Sequence, residues 1–154
     1  MVRGSSLARL SVEAMFTTIL VASDGSDSAD QLVTVAQSLA TQDRSKVVVA
    51  HVNEMMVMRG GAQPVHLDED LLQRKVRRQV DHLKAAGLDA EVQMQSTVGK
   101  AAKSIAEMAR ECHADLIVAG ASHHGPIGDF VFGTAGQRMI RLAPCPVLVI
   151  PSHN

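Results

Sequence analysis

Short apolar segments recur along the chain, and polar or turn residues bound each of them. Four are continuous apolar runs of the length of a buried strand, and one alternates apolar with polar residues. They lie at Thr18–Ala22, Val47–Val52, Ala90–Gln95, Leu116–Ala119 and Pro146–Ile150. We predict a strand in each of these five segments.

Between the strands, apolar residues recur at the spacing of one helix face. The first helix is preceded by three candidate capping residues, Ser26, Asp27 and Ser28, and Gly87 is a stop signal for the second. Four helices are predicted, at Ser28–Ala40, Asp68–Ala86, Lys100–His113 and from Gly133 to a stop before Pro144.

Strands and helices therefore alternate strictly, and this order is typical of an α/β fold: an open, doubly wound parallel sheet with helices on both faces. Crossovers between parallel strands are right-handed, and such sheets bind ligands beyond the carboxyl ends of their strands. Two segments interrupt the alternation, Met55–Leu67 and Ser122–Phe132, and we predict both as loops at strand ends.

Size, charge and composition narrow the functional classes. A chain of 154 residues favours one domain, and we expect it at residues 15–154, after a disordered leader at residues 1–14. A net charge of −1 and the absence of Trp and Tyr argue against nucleic acid and anionic membranes as partners. No apolar run has the length of a membrane span. Cys112 and Cys145 form no disulfide or zinc-site spacing, which favours the cytoplasm.

Two segments after strands carry candidate chemistry. The glycine-dense stretch from Gly120 to Thr134 joins a strand to a helix, where free backbone amides and the helix dipole favour a phosphate. A flexible connection is the alternative interpretation. Asp24 follows the first strand and can accept hydrogen bonds from ribose hydroxyls or help to hold a phosphate-bound metal. Its alternative role is a turn residue that caps Ser26 or the following helix.

The segment GASHHGPIGDFVFGTAGQRMIRLAPCPVLVI resembles the end of universal stress proteins. Their ATP-binding members carry glycine, two residues, glycine, nine residues, glycine, and then Ser or Thr. Gly120, Gly133 and Thr134 match this pattern, whereas His123 replaces the second glycine. The resemblance extends over Phe16–Pro151 and includes ILVASDGSDSA, STVGKAAKSIAEMARE and ADLIVAG.

The resemblance implies a Rossmann-like sheet of order 3-2-1-4-5 and an ATP site, with Mg as an optional companion ion. It implies that Asp24 lines the pocket, that Val52 offers backbone groups to adenine, and that Val98 and Gly99 close the nucleoside side. Because a histidine adds a ring where the family has glycine, we expect weakened ATP binding at His123. The implied site consists of Ala22, Ser23, Asp24, Val52, Val98, Gly99, Gly120, Ala121, Ser122, His123, Gly125, Gly133, Thr134 and Ala135.

Enzyme and metal sites find less support in the residues. SDGSDS resembles the SGGxDS loop of ATP pyrophosphatases, but Asp24 would repel a pyrophosphate there. GASHH lacks the final glycine of a nucleophile elbow, and the adjacent His123 and His124 point in opposite directions on an extended backbone. No base, arginine finger or second carboxylate supports phosphoryl transfer. We therefore expect neither catalysis nor a metal site.

The favoured interpretation is a cytoplasmic stress-response regulator that binds ATP or a related adenine nucleotide and contacts an unknown regulated protein. The alternative is a universal stress protein that binds no nucleotide and acts as a dimeric interaction module. In either case we expect a homodimer through the last strand, Val147–Ile150, because an apolar edge strand is prone to aggregation unless it is paired.

Overall fold

The computed structural model describes residues 14–121 and 134–151, and the leader predicted at residues 1–14 lies almost wholly outside them. The described chain forms six strands and four helices. In chain order they are β1 (Thr18–Ala22), α1 (Ala29–Asp43), β2 (Lys46–Met58), β3 (Gly61–Pro64), α2 (Glu69–Ala85), β4 (Ala90–Val98), α3 (Ala101–Glu111), β5 (Leu116–Gly120), α4 (Thr134–Leu142) and β6 (Val147–Ile150).

Five of the strands form one parallel sheet in the order β4-β2-β1-β5-β6. The parallel strands keep the predicted order, since β4, β5 and β6 are the third, fourth and fifth predicted strands, but the sheet has a sixth strand, β3, that was not predicted. The chain turns to opposite sides of β1 when it forms β2 and β5, so β1 lies at the centre. The carboxyl ends of all five strands consequently face one edge of the sheet, where ligands of such folds bind.

Each face of the sheet carries one hydrophobic layer. On one face, Ile19 and Val21 of β1 pack with residues of α1 and α2. On the other, Leu20 of β1 and Ile117 of β5 pack with α3 and with Met139 of α4. Because side chains alternate along a strand, consecutive apolar residues of β1 supply both layers, which explains its continuous apolar sequence.

The loop predicted at Met55–Leu67 is wrong. β2 continues to Met58, the chain reverses, and β3 pairs with it antiparallel from Met55↔Pro64 to Met58↔Gly61. Arg59 and Gly60 form the reversal between the paired Met58 and Gly61. Gly60 and Gly61 have φ of 109° and 122°, a region that L side chains rarely adopt. We call residues 55–64 the hairpin arm. Its side chains at Met56, Val57 and Met58 are exposed, so no helix or strand covers it within the described chain.

The predicted cap of the first helix is also wrong in part. Ser28 occupies the position before α1, but its side chain makes no capping hydrogen bond. Ser26 and Asp27 bind elsewhere: the Ser26 hydroxyl contacts Asp24 and Ser28, and Asp27 forms an ion pair with Lys75. The polar residues after β1 therefore shape the turn itself and do not cap the helix.

A carboxylate secures the amino end of β1. Asp115 accepts hydrogen bonds from the backbone N–H of Thr17 (2.8 Å), the Thr17 hydroxyl (2.9 Å) and the N–H of Thr18 (3.1 Å). Partial burial would raise the pKa of Asp115, but these bonds favour the ionised form and hold the pKa below its ordinary value. This contact joins the central strand to the turn before β5.

None of the helices that the structure describes is long and apolar enough to span a bilayer.

Candidate functional site

The predicted site residues within the described chain belong to four neighbouring strands and the turns that follow them. Ser23 and Asp24 follow β1, Gly120 ends β5 and Ala121 follows it. Val52, predicted as the last residue of its strand, lies inside β2 on the other side of β1. Gly99 follows β4, beside β2. The strand order brings all four positions to the carboxyl edge of the sheet. Ser122, His123, Gly125 and Gly133 lie outside the described residues, and Thr134 and Ala135 form the first turn of α4.

The strands do not end at one level. Ala22 is the last residue of β1 in register with β2, opposite Ala50, whereas β2 continues eight residues further to Met58. β4 accompanies it as far as the pair Met55↔Val98. β2 and β4 therefore rise beyond the ends of β1 and β5 and form one side of the predicted site. Gly99 lies at the top of this side, with φ of 63°.

The edge of β2 that faces β1 has an opening at Val52. The Ala50 carbonyl accepts a hydrogen bond from the Ser23 N–H (2.9 Å), and the Glu54 carbonyl accepts one from the Val65 N–H (2.8 Å). Backbone groups alternate along a strand, so the N–H and C=O of Val52 point toward the same edge. The pairing of β1 stops at Ala50 and that of β3 begins at Met55, so no described strand pairs with Val52 there.

Strand geometry gives the size of this opening. Glu54 lies four residue steps beyond Ala50, which corresponds to about 13 Å along β2. Val52 is half-buried, and one side of the opening is bounded by the turn after β1. The N–H of Val52 is a donor and its C=O is an acceptor, and the two lie side by side in this opening. They can bind the edge of a planar heterocycle that offers an acceptor beside a donor.

Asp24 is exposed at this turn, and the structure shows it in the turn role that the sequence offered as an alternative. Its Oδ1 accepts a hydrogen bond from the Ser26 N–H (2.9 Å) and another from the Ser26 hydroxyl. This contact is a local Asx turn, in which the side chain mimics a backbone acceptor. Oδ2 accepts no hydrogen bond from the described residues, so one carboxylate oxygen remains open to a ligand.

A buried polar cluster lies beneath the turn, and the sequence analysis missed it. His51 of β2 and Glu69, the first residue of α2, are 2% and 5% exposed and are joined at 2.7 Å. The other ring nitrogen of His51 contacts the Ser23 carbonyl at 2.8 Å. A histidine inside the apolar run Val47–Val52 was the available signal, because a buried polar side chain requires a partner.

A cavity of about 280 Å³ lies on the α3 and α4 side of the sheet, at its carboxyl edge. Of the predicted site residues it contacts Gly99, but neither Asp24 nor Val52. Three cations and one carboxylate give it a positive character. Its lining consists of Glu54, Gly99, Lys100, Ala101, Ala102, Lys103, Arg138 and Leu142.

The two cysteines are half-buried and unpaired. Burial raises the pKa of both the Cys112 and the Cys145 thiol, so each stays protonated near neutral pH. A protonated thiol is a poor nucleophile and a poor metal ligand. Both cysteines pack against the layer that contains Leu20, which gives them a structural role.

Sheet order, helix layers and the level of the strand ends define a Rossmann-like α/β protein. More narrowly, the chain belongs to the universal stress protein family, whose model matches residues 15–151. A universal stress protein of Thermus aquaticus, encoded in the 3′ region of a QAH/OAS sulfhydrylase, is 31% identical over 145 residues, which cover 88% of this chain and 99% of the relative.

Two solved structures of universal stress proteins share the fold. One, in complex with cAMP, is 23% identical and covers 88% of this chain and 97% of its own, with a TM-score of 0.61. The other, from Archaeoglobus fulgidus and in complex with dAMP, is 22% identical and covers 88% of this chain and 98% of its own, with a TM-score of 0.65.

Proposed function

We propose that this universal stress protein binds ATP or a related adenine nucleotide at the carboxyl edge of its sheet, and that it acts in the cytoplasm as a stress-response regulator and not as an enzyme. The opening at Val52 carries the proposal. Adenine presents an amino donor beside a ring-nitrogen acceptor, and these complement the carbonyl and N–H of one strand residue. The cAMP and dAMP complexes of the two related structures support the choice of adenine.

The ribose and phosphate positions follow from the same placement. A base at Val52 lies beside the turn after β1, where Asp24 Oδ2 can accept a hydrogen bond from a ribose hydroxyl. The phosphates then point toward the end of β5 and the first turn of α4, whose N-terminal amides favour an anion. Mg-ATP fits this arrangement, with the metal carried by the phosphates.

Nucleotide binding is tested on protein purified without added nucleotide. We expect mass spectrometry of the denatured protein to detect a released adenine nucleotide. We also expect Mg-ATP at 100 times its Kd to add about 2.7 kcal/mol of stability, which raises Tm by roughly 5 to 10 °C. GTP is the matched control, because guanine presents O6, an acceptor, where adenine presents its amino group. Equal shifts with ATP and GTP would contradict base recognition at Val52.

The second candidate function is an interaction module that binds no nucleotide. The hairpin arm favours it, since Val57 is 73% exposed and lies between two exposed methionines, a composition typical of adaptable binding surfaces. Absence of any released nucleotide, together with no Tm shift at millimolar Mg-ATP, would favour this function over nucleotide binding.

We also propose a homodimer through β6. This strand pairs with β5 on one side only, within the described residues, and Leu148 is 37% exposed. Antiparallel pairing with β6 of a second copy about a twofold axis would cover the open edge. Light scattering at tens of micromolar should give the dimer mass, and Leu148→Lys should lower it to that of the monomer. A monomeric wild-type protein contradicts this proposal.

A further inference from the structure

The turn that presents Asp24 rests on a chain of buried hydrogen bonds. His51 Nδ1 lies 2.8 Å from the Ser23 carbonyl oxygen, and Nε2 lies 2.7 Å from Glu69 Oε1. Both side chains are almost completely buried. Gln73 donates a third hydrogen bond, from its Nε2 to the same Glu69 oxygen (3.0 Å). The imidazole thus bridges the first turn of α2 and the backbone just before Asp24.

The partners of the ring fix its protons. A carbonyl oxygen can only accept, so the proton of the Ser23 contact belongs to His51 Nδ1. One further proton lies between Nε2 and Glu69 Oε1, because two lone pairs would repel each other at 2.7 Å. The pair is therefore neutral overall, whichever atom holds that proton. A ring that is hydrogen-bonded at both nitrogens is held in one orientation. Carboxylates orient the histidines of metal sites in the same way, through the ring nitrogen that does not bind the metal.

Ser23 is held through its side chain as well. Its hydroxyl donates to Gln79 Oε1 (2.7 Å) and accepts from the Gly25 N–H (3.1 Å). Gln79 in turn donates to Asp30 Oδ1 (2.9 Å). The residues on both sides of Asp24 are consequently tied to buried groups, while its own carboxylate stays exposed.

We propose that His51, clamped by Glu69, is a positioning residue for the nucleotide site: it fixes the Ser23 carbonyl and thereby the direction in which Asp24 is presented. The inference rests on the proposed function, because it assigns the ligand to Asp24. A carboxylate that is already oriented loses little freedom on binding, and this preorganisation increases affinity. His51 itself does not touch the ligand.

Two amide substitutions separate the two bonds of the ring. In His51→Asn, the side-chain amide nitrogen can occupy the place of Nδ1 and keep the bond to the Ser23 carbonyl. In His51→Gln, the longer side chain places its amide near the former Nε2, so it can reach Glu69 but not Ser23. Both variants lose one bond of a buried group, so both should be less stable, and stability alone does not distinguish them.

The measurement is the Kd for AMP by calorimetry, at a temperature where both variants are fully folded by circular dichroism. We expect His51→Asn to stay within threefold of the wild type and His51→Gln to bind about tenfold more weakly. Equal losses in the two variants would reduce His51 to a structural residue, and wild-type affinity in both would remove it from the site altogether.

A second readout needs no nucleotide. Hydrogen exchange of the Gly25 amide in the free protein reports whether the turn is fixed, because that amide is bonded to the Ser23 hydroxyl. We expect protection in the wild type and in His51→Asn, and faster exchange in His51→Gln. If the wild type binds no nucleotide, the proposed function fails. The relative exchange rates of the Gly25 amide in the three proteins then still decide whether His51 fixes the turn. Identical exchange in all three proteins overturns it.

Discussion

Gly25→Ala should lower the free energy of unfolding by about 3 kcal/mol, which is a large fraction of the stability of an ordinary domain. Gly25 has φ of 76°, where an L residue costs about 1 to 2 kcal/mol. An added Cβ would also lie 2.7 Å from the Leu72 carbonyl oxygen and 3.0 Å from Leu72 Cα. Those are backbone atoms of α2 that no rotamer change can move, so the helix must shift. Urea denaturation followed by circular dichroism measures the loss.

Gly87→Ala is the matched control. Gly87 has φ of 85° after the end of α2, but nothing lies within 4 Å of its added Cβ. This variant therefore contains the backbone strain without the contact, and we expect it to lose about 1 kcal/mol. If the two variants lose equal stability, the close approach of the turn to Leu72 makes no contribution of its own.

The parallel sheet could be predicted from the sequence because burial on both faces leaves a direct pattern. β1 and β5 are covered by helices on both sides, so their residues form short continuous apolar runs between polar turns. Helix faces followed from spacing in the same way. The predicted boundaries differ from the observed ones by a few residues, as at α1, predicted at Ser28–Ala40 and observed at Ala29–Asp43.

The hairpin arm left no such pattern. Met55, Met56, Val57 and Met58 form an apolar run without alternation, because the end of β2 packs under no helix layer. A strand that is stabilised mainly by backbone pairing need not have the side-chain pattern from which strands are predicted. Gly60 in the turn and Gly61 directly after it were the available signal, since glycine in a short connection is typical of a tight hairpin.

Some residues of the candidate site could be predicted from the sequence and others could not. Asp24 could be named as a candidate because it follows a strand, and Val52 and Gly99 because the family resemblance marks them. The His51 and Glu69 pair could not, since its members are 18 residues apart and only the tertiary fold joins them. Glu69 reads in the sequence as an ordinary acidic residue of a first helical turn, favourable for the dipole, whereas in the structure it is a buried partner of His51.

Asp24→Ala should weaken adenine-nucleotide binding by about 10 to 100-fold, the equivalent of about 1.5 to 3 kcal/mol for a hydrogen bond to a charged group. The substitution removes Oδ2, the carboxylate oxygen that the described chain leaves open, and with it the acceptor for a ribose hydroxyl. It also removes the Asx turn to Ser26, so the free protein should lose about 1 kcal/mol of stability and remain folded. Calorimetric titration with AMP, and urea denaturation without ligand, measure the two effects separately.

Asp24→Asn separates the ligand role of this residue from its role in the turn. The asparagine Oδ1 can still accept the hydrogen bond from the Ser26 N–H, so the stability of the free protein should stay within about 0.5 kcal/mol of the wild type. Its amide group, however, presents a donor where the carboxylate presented an acceptor, and the charge is gone. We therefore expect affinity for AMP to fall about tenfold in Asp24→Asn even though the turn is intact. Wild-type affinity in Asp24→Asn, with a loss in Asp24→Ala alone, would show that Asp24 acts only through the turn that it shapes.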